Sequence, residues 1–237
     1  MVKLVIAIKT KDRSLNKNYV RDTLANLERA GVMDSPHLLD LGIVDSGSRP
    51  AFVKDLRATD WPVDSAVRTL HQNAARCIET VGADKRADYG MVLEDDLDFC
   101  DRFLEQVVAW LEDHEVDYPQ MYVLGANFDQ IRRVAEMGGQ AWAYPVTAFY
   151  GAQALVWKRQ HAAQLAEWLG PDPQYNGVTD HGHDLLLQQW GKSIQLTHFV
   201  ASAPCMVQHI GNESGIGNRF FQFPWDGRGW RYARRAA

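Results

Sequence analysis

Strand-like and helix-like patterns alternate along the first half of the chain, and this alternation restricts the fold more than any other feature. Short apolar runs rich in β-branched residues cover positions 3–8, 37–45 and 89–95. Amphipathic helical patterns cover positions 14–32, 71–82 and 100–114. Apolar runs of this length are typical of strands buried on both faces of a parallel sheet. The sequence therefore predicts an α/β fold with a largely parallel sheet.

Each of the three predicted strands is followed directly by a polar cluster. The clusters read "TKDR" after the first strand, "DSGS" after the second and "EDDLD" after the third. Ligands of open α/β sheets bind outside the carboxyl ends of the strands. We therefore expect a ligand site at this edge of the sheet.

The third cluster is the most acidic part of the chain. Its four carboxylates are Glu94, Asp95, Asp96 and Asp98. They repel one another unless water, a cation or hydrogen bonds take up the charge, and Mg²⁺ or Mn²⁺ prefers such oxygen ligands. The alternative is that Asp98 and Asp101 cap the next helix while the other carboxylates are solvated. The apolar "MVL" before the cluster and His209 in a later motif favour a metal site.

Composition limits the class of protein. The chain has 237 residues, which suits one domain, and its net charge of -5 gives no general attraction to nucleic acid or anionic membranes. Its apolar runs are shorter than a membrane helix, and the apolar start is too short for a signal peptide. Three widely spaced cysteines fit a reducing compartment. We expect a soluble, cytoplasmic protein without a membrane partner.

The stretch "MVLEDDLDF" resembles the DxD-type motif of GT-A glycosyltransferases, in its "EDD" form. Further segments resemble motifs of that family, in the family's order: "AIKTKDRS", "GIVDSGS", "RTLHQNAARCIE", "FYGAQALVW" and "PCMVQHIGNESGIGN". The resemblance implies one GT-A-like, Rossmann-type domain with a mixed, mostly parallel central sheet flanked by helices. It divides the chain into a nucleotide-binding half (1–113), an acceptor and catalytic half (114–218) and an aromatic, basic tail (219–237).

The same resemblance implies a site for a nucleotide-diphosphate sugar, most commonly a UDP-sugar, and for Mn²⁺ or Mg²⁺. Asp96 and His209 would be the protein ligands of the metal, although a histidine in an apolar stretch is more often a core residue. The donor-binding residues would be Thr10, Arg13, Asp45, Asn73, Arg76, Glu94, Asp95, Gly211, Asn212 and Ser214. Among these, Asp45 would contact the base or ribose, and Asn212 and Ser214 the diphosphate. Asn73 and Arg76 are three positions apart and so can face one ligand, unless they serve as a helix cap and a surface charge.

Sugar transfer to a hydroxyl acceptor requires that the hydroxyl lose its proton, and one carboxylate suffices as the general base of an inverting enzyme. GT-A enzymes often place this residue at the start of a helix. Asp184, directly before "LLLQQW", matches best, and Asp180 is second. Either residue can instead be a helix cap, and a retaining reaction stays open.

Acceptor identity is open among a saccharide, a small molecule, a protein side chain and a modified base in DNA. The aromatic and arginine-rich tail favours DNA slightly, whereas the acidic net charge opposes it. Two other functions compete with sugar transfer. A nucleotidyltransferase would need a phosphate-binding loop after the first strand, of which "TKDRS" is a poor version, and a catalytically silent sugar- or nucleotide-binding domain is the third possibility.

Overall fold

The computed structural model describes residues 1–12, 18–121, 126–170 and 184–210. Its strands are β1 (Leu4–Thr10), β2 (Leu38–Asp45), β3 (Val63–Ser65), β4 (Tyr89–Glu94), β5 (Leu97–Phe99), β6 (Pro119–Gln120), β7 (Ala141–Pro145), β8 (Ala154–Lys158), β9 (His198–Ser202) and β10 (Val207–His209). Its α-helices are α1 (Tyr19–Arg29), α2 (Pro50–Leu56), α3 (Leu70–Ala83), α4 (Phe103–Asp113), α5 (Ala126–Glu136), α6 (Arg159–Leu169) and α7 (Asp184–Ser193).

Eight strands form one central sheet in the order β3-β2-β1-β4-β8-β6-β9-β7. β8 runs antiparallel to β4 and β6, and β7 runs antiparallel to β9, while the other neighbouring pairs are parallel. The sheet takes strands from residues on both sides of position 113. This arrangement confirms the predicted mixed, mostly parallel α/β fold.

Strand β1 is buried along its whole length, as its apolar sequence predicts. Leu4, Ile6 and Ile8 point into one hydrophobic cluster, and Val5 and Ala7 point into the cluster on the opposite face. This alternation follows from the pleat of a strand, in which successive side chains face opposite sides of the sheet. The sheet therefore separates two cores.

Helices cover both faces of the sheet. α1 and α4 supply residues to the first core, and α3, α6 and α7 supply residues to the second. α3 and α6 pack closely, and Gly82 permits this approach. A Cβ atom at position 82 would lie only 2.8 Å from the backbone nitrogen of Ala163. None of the helices in the described ranges is long and apolar enough to cross a lipid bilayer.

A second, two-stranded sheet joins β5 to β10 in antiparallel register. His209 pairs with Leu97, and the N–H of Ile210 donates to the carbonyl oxygen of Asp96 at 2.9 Å. This short sheet brings the segment around His209 beside the acidic turn that follows β4.

Three local predictions are wrong. The stretch "QMYVLGANFD" (residues 120–129) reads as a strand from its sequence, but β6 ends at Gln120 and α5 begins at Ala126. Helix α5 has an apolar face, because the buried Ile131 and the partly buried Val134 lie at helical spacing. Asn73 was expected near the start of a helix as its cap, but Thr69 caps α3 and forms a capping box with Gln72.

The start of α4 also differs from the sequence-based expectation. Asp101 was a candidate cap, but Arg102 occupies the N-cap position in a left-handed conformation, with φ of 54°, and makes no side-chain capping bond. Burial of Phe103 and Leu104 at the first two helical positions shows that packing fixes where this helix begins.

Candidate functional site

The carboxyl ends of three neighbouring strands bring the predicted residues together at one edge of the sheet. Thr10 at the end of β1 lies in register with Asp45 at the end of β2. On the other side of β1, Lys9 lies in register with Glu94 at the end of β4. The polar clusters that follow these strands are therefore neighbours in space.

Each carboxylate of the acidic cluster has a different polar partner. The pairs are Glu94 with Lys9, Asp95 with Thr10, Asp96 with His209 and Asp98 with Arg29. The atoms in the first three pairs are 2.8 Å, 2.5 Å and 2.9 Å apart, respectively. Partners of this kind offset the mutual repulsion that makes such a cluster unusual. Asp98 is directed to α1, so it does not belong with the other three.

Glu94, Asp96 and His209 form a group suited to a metal ion, called here the metal group. Their ligand atoms all lie within 4.8 Å of one another, and Asp96 and His209 are buried. Ligands on opposite sides of one Mg²⁺ ion are about 4.2 Å apart, since each bond is roughly 2.1 Å long. Two carboxylates and an imidazole also match the ligand preference of Mn²⁺. The residues thus fit a hard divalent cation.

Asp95 faces the loop after β1. Its Oδ2 accepts a hydrogen bond from the Thr10 hydroxyl at 2.5 Å and lies 3.4 Å from the backbone N–H of Lys11. The side chain is almost fully buried. Asp95 therefore joins the end of β1 to the acidic turn, and its contact with a donor stays a prediction.

Asp45 is fully buried and organises the "DSGS" turn. Its Oδ2 accepts from the N–H groups of Gly47 and Ser48 at 3.2 Å and 3.0 Å, and from the Ser65 hydroxyl at 2.7 Å. Glycine suits position 47, because φ is +80° there and a Cβ atom would lie 2.8 Å from Val67 Cα. Within the described residues Asp45 is engaged by protein groups, so base or ribose contact stays a prediction.

Asn73 and Arg76 have separate protein partners. The Asn73 amide donates to the carbonyl oxygens of Thr10 at 3.3 Å and Val44 at 3.1 Å, which ties together the ends of β1 and β2. Arg76 donates to Asp64 of β3 at 2.6 Å, and this hydrogen bond raises the pKa of Arg76. The structure thus brings Asn73 to the strand ends and pairs Arg76 with β3.

Asp184, the first residue of α7, is held by a different segment of the chain. Its carboxylate accepts from the backbone N–H groups of Gly151 at 3.3 Å and Ala152 at 3.2 Å. The pKa of Asp184 is raised to about 6, because burial and the negative charge of Glu94 together outweigh the two N–H bonds and Lys9, which lower it. The residues that follow Ala152 pair with the end of β4, since the Glu94 N–H donates to the Gln153 carbonyl oxygen at 2.9 Å and Leu93 pairs with Ala154. Asp184 therefore lies at the same edge of the sheet as the metal group.

Lys9 is the site residue that the sequence did not single out. It is 5% exposed, and its ammonium group contacts Glu94 within the strand-end cluster. A charged residue inside an otherwise apolar strand, directly before Thr10, was the available signal. Lysine is rarely buried unless it is paired, so such a position indicates a partner of opposite charge.

Several predicted site residues lie outside the described ranges. They are Arg13, Asp180, Gly211, Asn212 and Ser214. The aromatic and basic tail over residues 219–237 also lies outside them.

Comparison with known proteins supports the fold. No protein-family model and no curated protein sequence matches the chain. The crystal structure of S. aureus TarS 1-349, a GT-A glycosyltransferase, aligns with a TM-score of 0.55 at 10% identity. The alignment covers 85% of this chain and 58% of the TarS chain, so this chain spans little more than half of that structure.

Two further alignments have TM-scores too low to establish a shared fold. A second S. aureus TarS structure gives 0.38 at 16% identity, covering 53% of this chain and 22% of that one. CMP:2-keto-3-deoxy-manno-octonic acid synthetase complexed with CTP gives 0.49 at 12% identity, covering 84% and 88%. The alignment with TarS 1-349 and the sheet topology together show a GT-A-like fold.

Proposed function

We propose that this chain is a metal-dependent glycosyltransferase that moves a sugar from a nucleotide-diphosphate sugar to a hydroxyl acceptor. The observation that carries the proposal is the metal group at the strand ends, with Asp184 at the same edge of the sheet. A GT-A-like sheet places ligands at this edge, which supports a nucleotide-sugar donor there.

Asp96 and His209 would be the main metal ligands, and Glu94 is close enough to complete the set. When bound, Mn²⁺ or Mg²⁺ supplies Lewis-acid stabilisation of the negative charge on the leaving diphosphate. Lys9 adds a fixed positive charge next to Glu94. A bound cation and the nearby Lys9 charge would both favour an anionic donor at this edge of the sheet.

Asp184 would act as the general base of an inverting reaction. With a pKa of about 6, its carboxylate is mostly ionised at neutral pH and still basic enough to accept a proton. Each of its oxygens accepts a backbone hydrogen bond, one from Gly151 and one from Ala152. A carboxylate oxygen has two lone pairs, so capacity remains for the acceptor hydroxyl.

Nucleotide binding is the first test of this function. We would measure calorimetric binding of UDP and GDP with Mn²⁺ and with EDTA, using wild type, Asp96→Asn and Asp98→Asn. Asp98 belongs to the same acidic cluster but pairs with Arg29, so it is the matched control. Binding that needs both Mn²⁺ and Asp96, and that survives Asp98→Asn, is expected. Equal binding with EDTA, or equal loss in both variants, would overturn the metal-dependent function.

Product analysis separates sugar transfer from nucleotidyl transfer. A glycosyltransferase releases a nucleoside diphosphate from its donor, whereas a nucleotidyltransferase releases pyrophosphate from a nucleoside triphosphate. We expect nucleoside diphosphate release that depends on a hydroxyl acceptor. Pyrophosphate release from UTP or CTP with a sugar would assign the site to the other reaction.

A further inference from the structure

Side-chain amides hold the carbonyl groups of residues 148–151, a segment called here the amide-held loop. Asn127 donates to the Ala148 oxygen at 2.7 Å, and Gln188 to the Phe149 oxygen at 2.9 Å. Gln120 donates to the Tyr150 oxygen at 3.0 Å and to the Gly151 oxygen at 2.5 Å. Four successive carbonyl groups are thus fixed by amides from outside the loop.

Two of these peptide groups also hold Asp184. The peptide group of Tyr150 and Gly151 accepts from Gln120 through its oxygen and donates to Asp184 through its N–H. The next peptide group, of Gly151 and Ala152, makes the same two bonds. We propose that Gln120 is a positioning residue for the Asp184 carboxylate and acts through these two peptide groups.

Gln120 is itself held in one orientation. It is fully buried, and β6 fixes its backbone between Leu155 of β8 and Ala201 of β9. The Tyr144 hydroxyl donates to its Oε1, so its amide hydrogens must face the two carbonyl groups. Burial raises the pKa of Tyr144 well above its ordinary value, which keeps this hydroxyl protonated as a donor.

The arrangement has a definite electrostatic effect. A hydrogen bond to the oxygen of a peptide group polarises it and strengthens its N–H as a donor. N–H bonds to a carboxylate stabilise the ionised form and lower its pKa. The other described groups that act on Asp184 are Glu94, which raises its pKa, and Lys9, which lowers it; Tyr144 stays neutral. Loss of the Gln120 amide therefore raises the pKa of Asp184 and loosens its position.

The direct test is an NMR titration of ¹³C-labelled aspartate carboxyl groups, with the Asp184 signal assigned from Asp184→Asn. The test variant is Gln120→Met, and the matched control is Gln188→Met. Gln188 binds the Phe149 carbonyl, whose peptide group carries the Tyr150 N–H and is not one of the two donors to Asp184. We expect Gln120→Met to raise the pKa of Asp184 by about 0.5, a fraction of the effect of two N–H bonds, and Gln188→Met by less than about 0.1.

A second variant keeps the test decisive if Gln120→Met does not fold. Tyr144→Phe removes only the donor to Gln120 Oε1 and preserves the ring, so it should raise the pKa of Asp184 in the same direction by a smaller amount. No rise in either folded variant, or an equal rise in Gln188→Met, would overturn the assignment of Gln120.

The catalytic meaning of this inference rests on the proposed function, but the titration does not. In an active enzyme, Gln120→Met should also move the acidic limb of the pH profile upward by about 0.5 and lower kcat while leaving the KM for donor unchanged. A titration that responds in a chain without transferase activity would retain Gln120 as a positioning residue and refute the base role of Asp184. Conversely, transferase activity in a chain whose Asp184 pKa does not change with Gln120→Met would overturn the positioning role of Gln120 and retain the base role of Asp184.

Discussion

His209 Nε2 lies 2.9 Å from Asp96 Oδ2, and both side chains are almost fully buried. Pairing of β10 with β5 and the hydrogen bond from Ile210 to the Asp96 carbonyl maintain this contact. A cation bound by both side chains would take the place of this direct contact and would link the same two segments, which are far apart in the sequence.

Replacing His209 with leucine should weaken Mn²⁺ binding at least about tenfold, because a metal ligand is lost. Calorimetric titration with Mn²⁺ measures the effect. His198→Leu is the matched control, since His198 is an exposed histidine on β9. Equal Mn²⁺ affinities in the two variants would contradict a ligand role for His209.

Activity should fall as the pH drops through about 6, because Asp184 must be ionised to accept a proton. The logarithm of kcat/KM is expected to rise with slope one below this pH and to level off above it. Asp184→Asn should lower kcat by about 10²–10⁴ and remove this limb. A wild-type limb that persists in residual Asp184→Asn activity would assign the titration to another group.

The raised pKa of Asp184 also predicts a pH dependence of stability. The folded state holds this proton up to about pH 6, while the unfolded chain loses it near 3.8, so folding becomes less favourable as pH rises between these values. The difference is about 3 kcal/mol at most. Urea unfolding at pH 4 and pH 7.5 should show a smaller loss of stability for Asp184→Asn than for wild type. Identical losses would show that Asp184 titrates normally.

Gly151→Ala should lower both stability and activity. Gly151 has φ of +93°, which costs a side-chain-bearing residue about 1–2 kcal/mol, and relaxation would turn its N–H away from Asp184. Gly138→Ala is the control, because Gly138 has φ of +77° and a Cβ there meets no atom within 4 Å. Urea unfolding should show similar losses for the two variants, and kcat should fall only for Gly151→Ala. An equal kcat in both variants would contradict a positioning role for the amide-held loop.

Lys9→Met should destabilise the fold by about 2–4 kcal/mol, because it removes the ammonium group that lies 2.8 Å from the partly buried Glu94 carboxylate. The double variant Lys9→Met/Glu94→Gln should recover part of this loss, since the negative charge that faced Lys9 is also removed. Urea unfolding in EDTA measures both effects without metal. A double variant no more stable than Lys9→Met would show that the pair contributes little.

Much of the central fold is predictable because it is encoded locally. β1, β2 and β4 are mainly apolar runs, interrupted only by Lys9 in β1 and Asp40 in β2, and each ends at the first residue of its polar cluster. The expected meeting of these clusters follows from parallel pairing alone. The placement of His209 beside Asp96 followed from a motif resemblance and not from periodicity, because β10 contains only three residues.

What the sequence did not predict depends on tertiary pairing. β5 and β10 are too short to carry a strand pattern, and they exist because they pair with each other. Gln120 and Gln188 are not part of any recognisable sequence motif, since a side-chain amide can bind a carbonyl group at any separation along the chain. Lys9 gave a signal only as a charge inside an apolar run.

The pairing of β5 with β10 also sets the order in which the site can be assembled during synthesis. A nascent chain can pair β1, β2 and β4 and expose both carboxylates of the metal group well before residue 209 leaves the ribosome. His209 is synthesised only after β9, the inner neighbour of edge strand β7, so an ion could be held by all three side chains only once the strands of the central sheet have been made. Such late, long-range contacts are the slow part of folding, and an ion that binds them favours the finished fold.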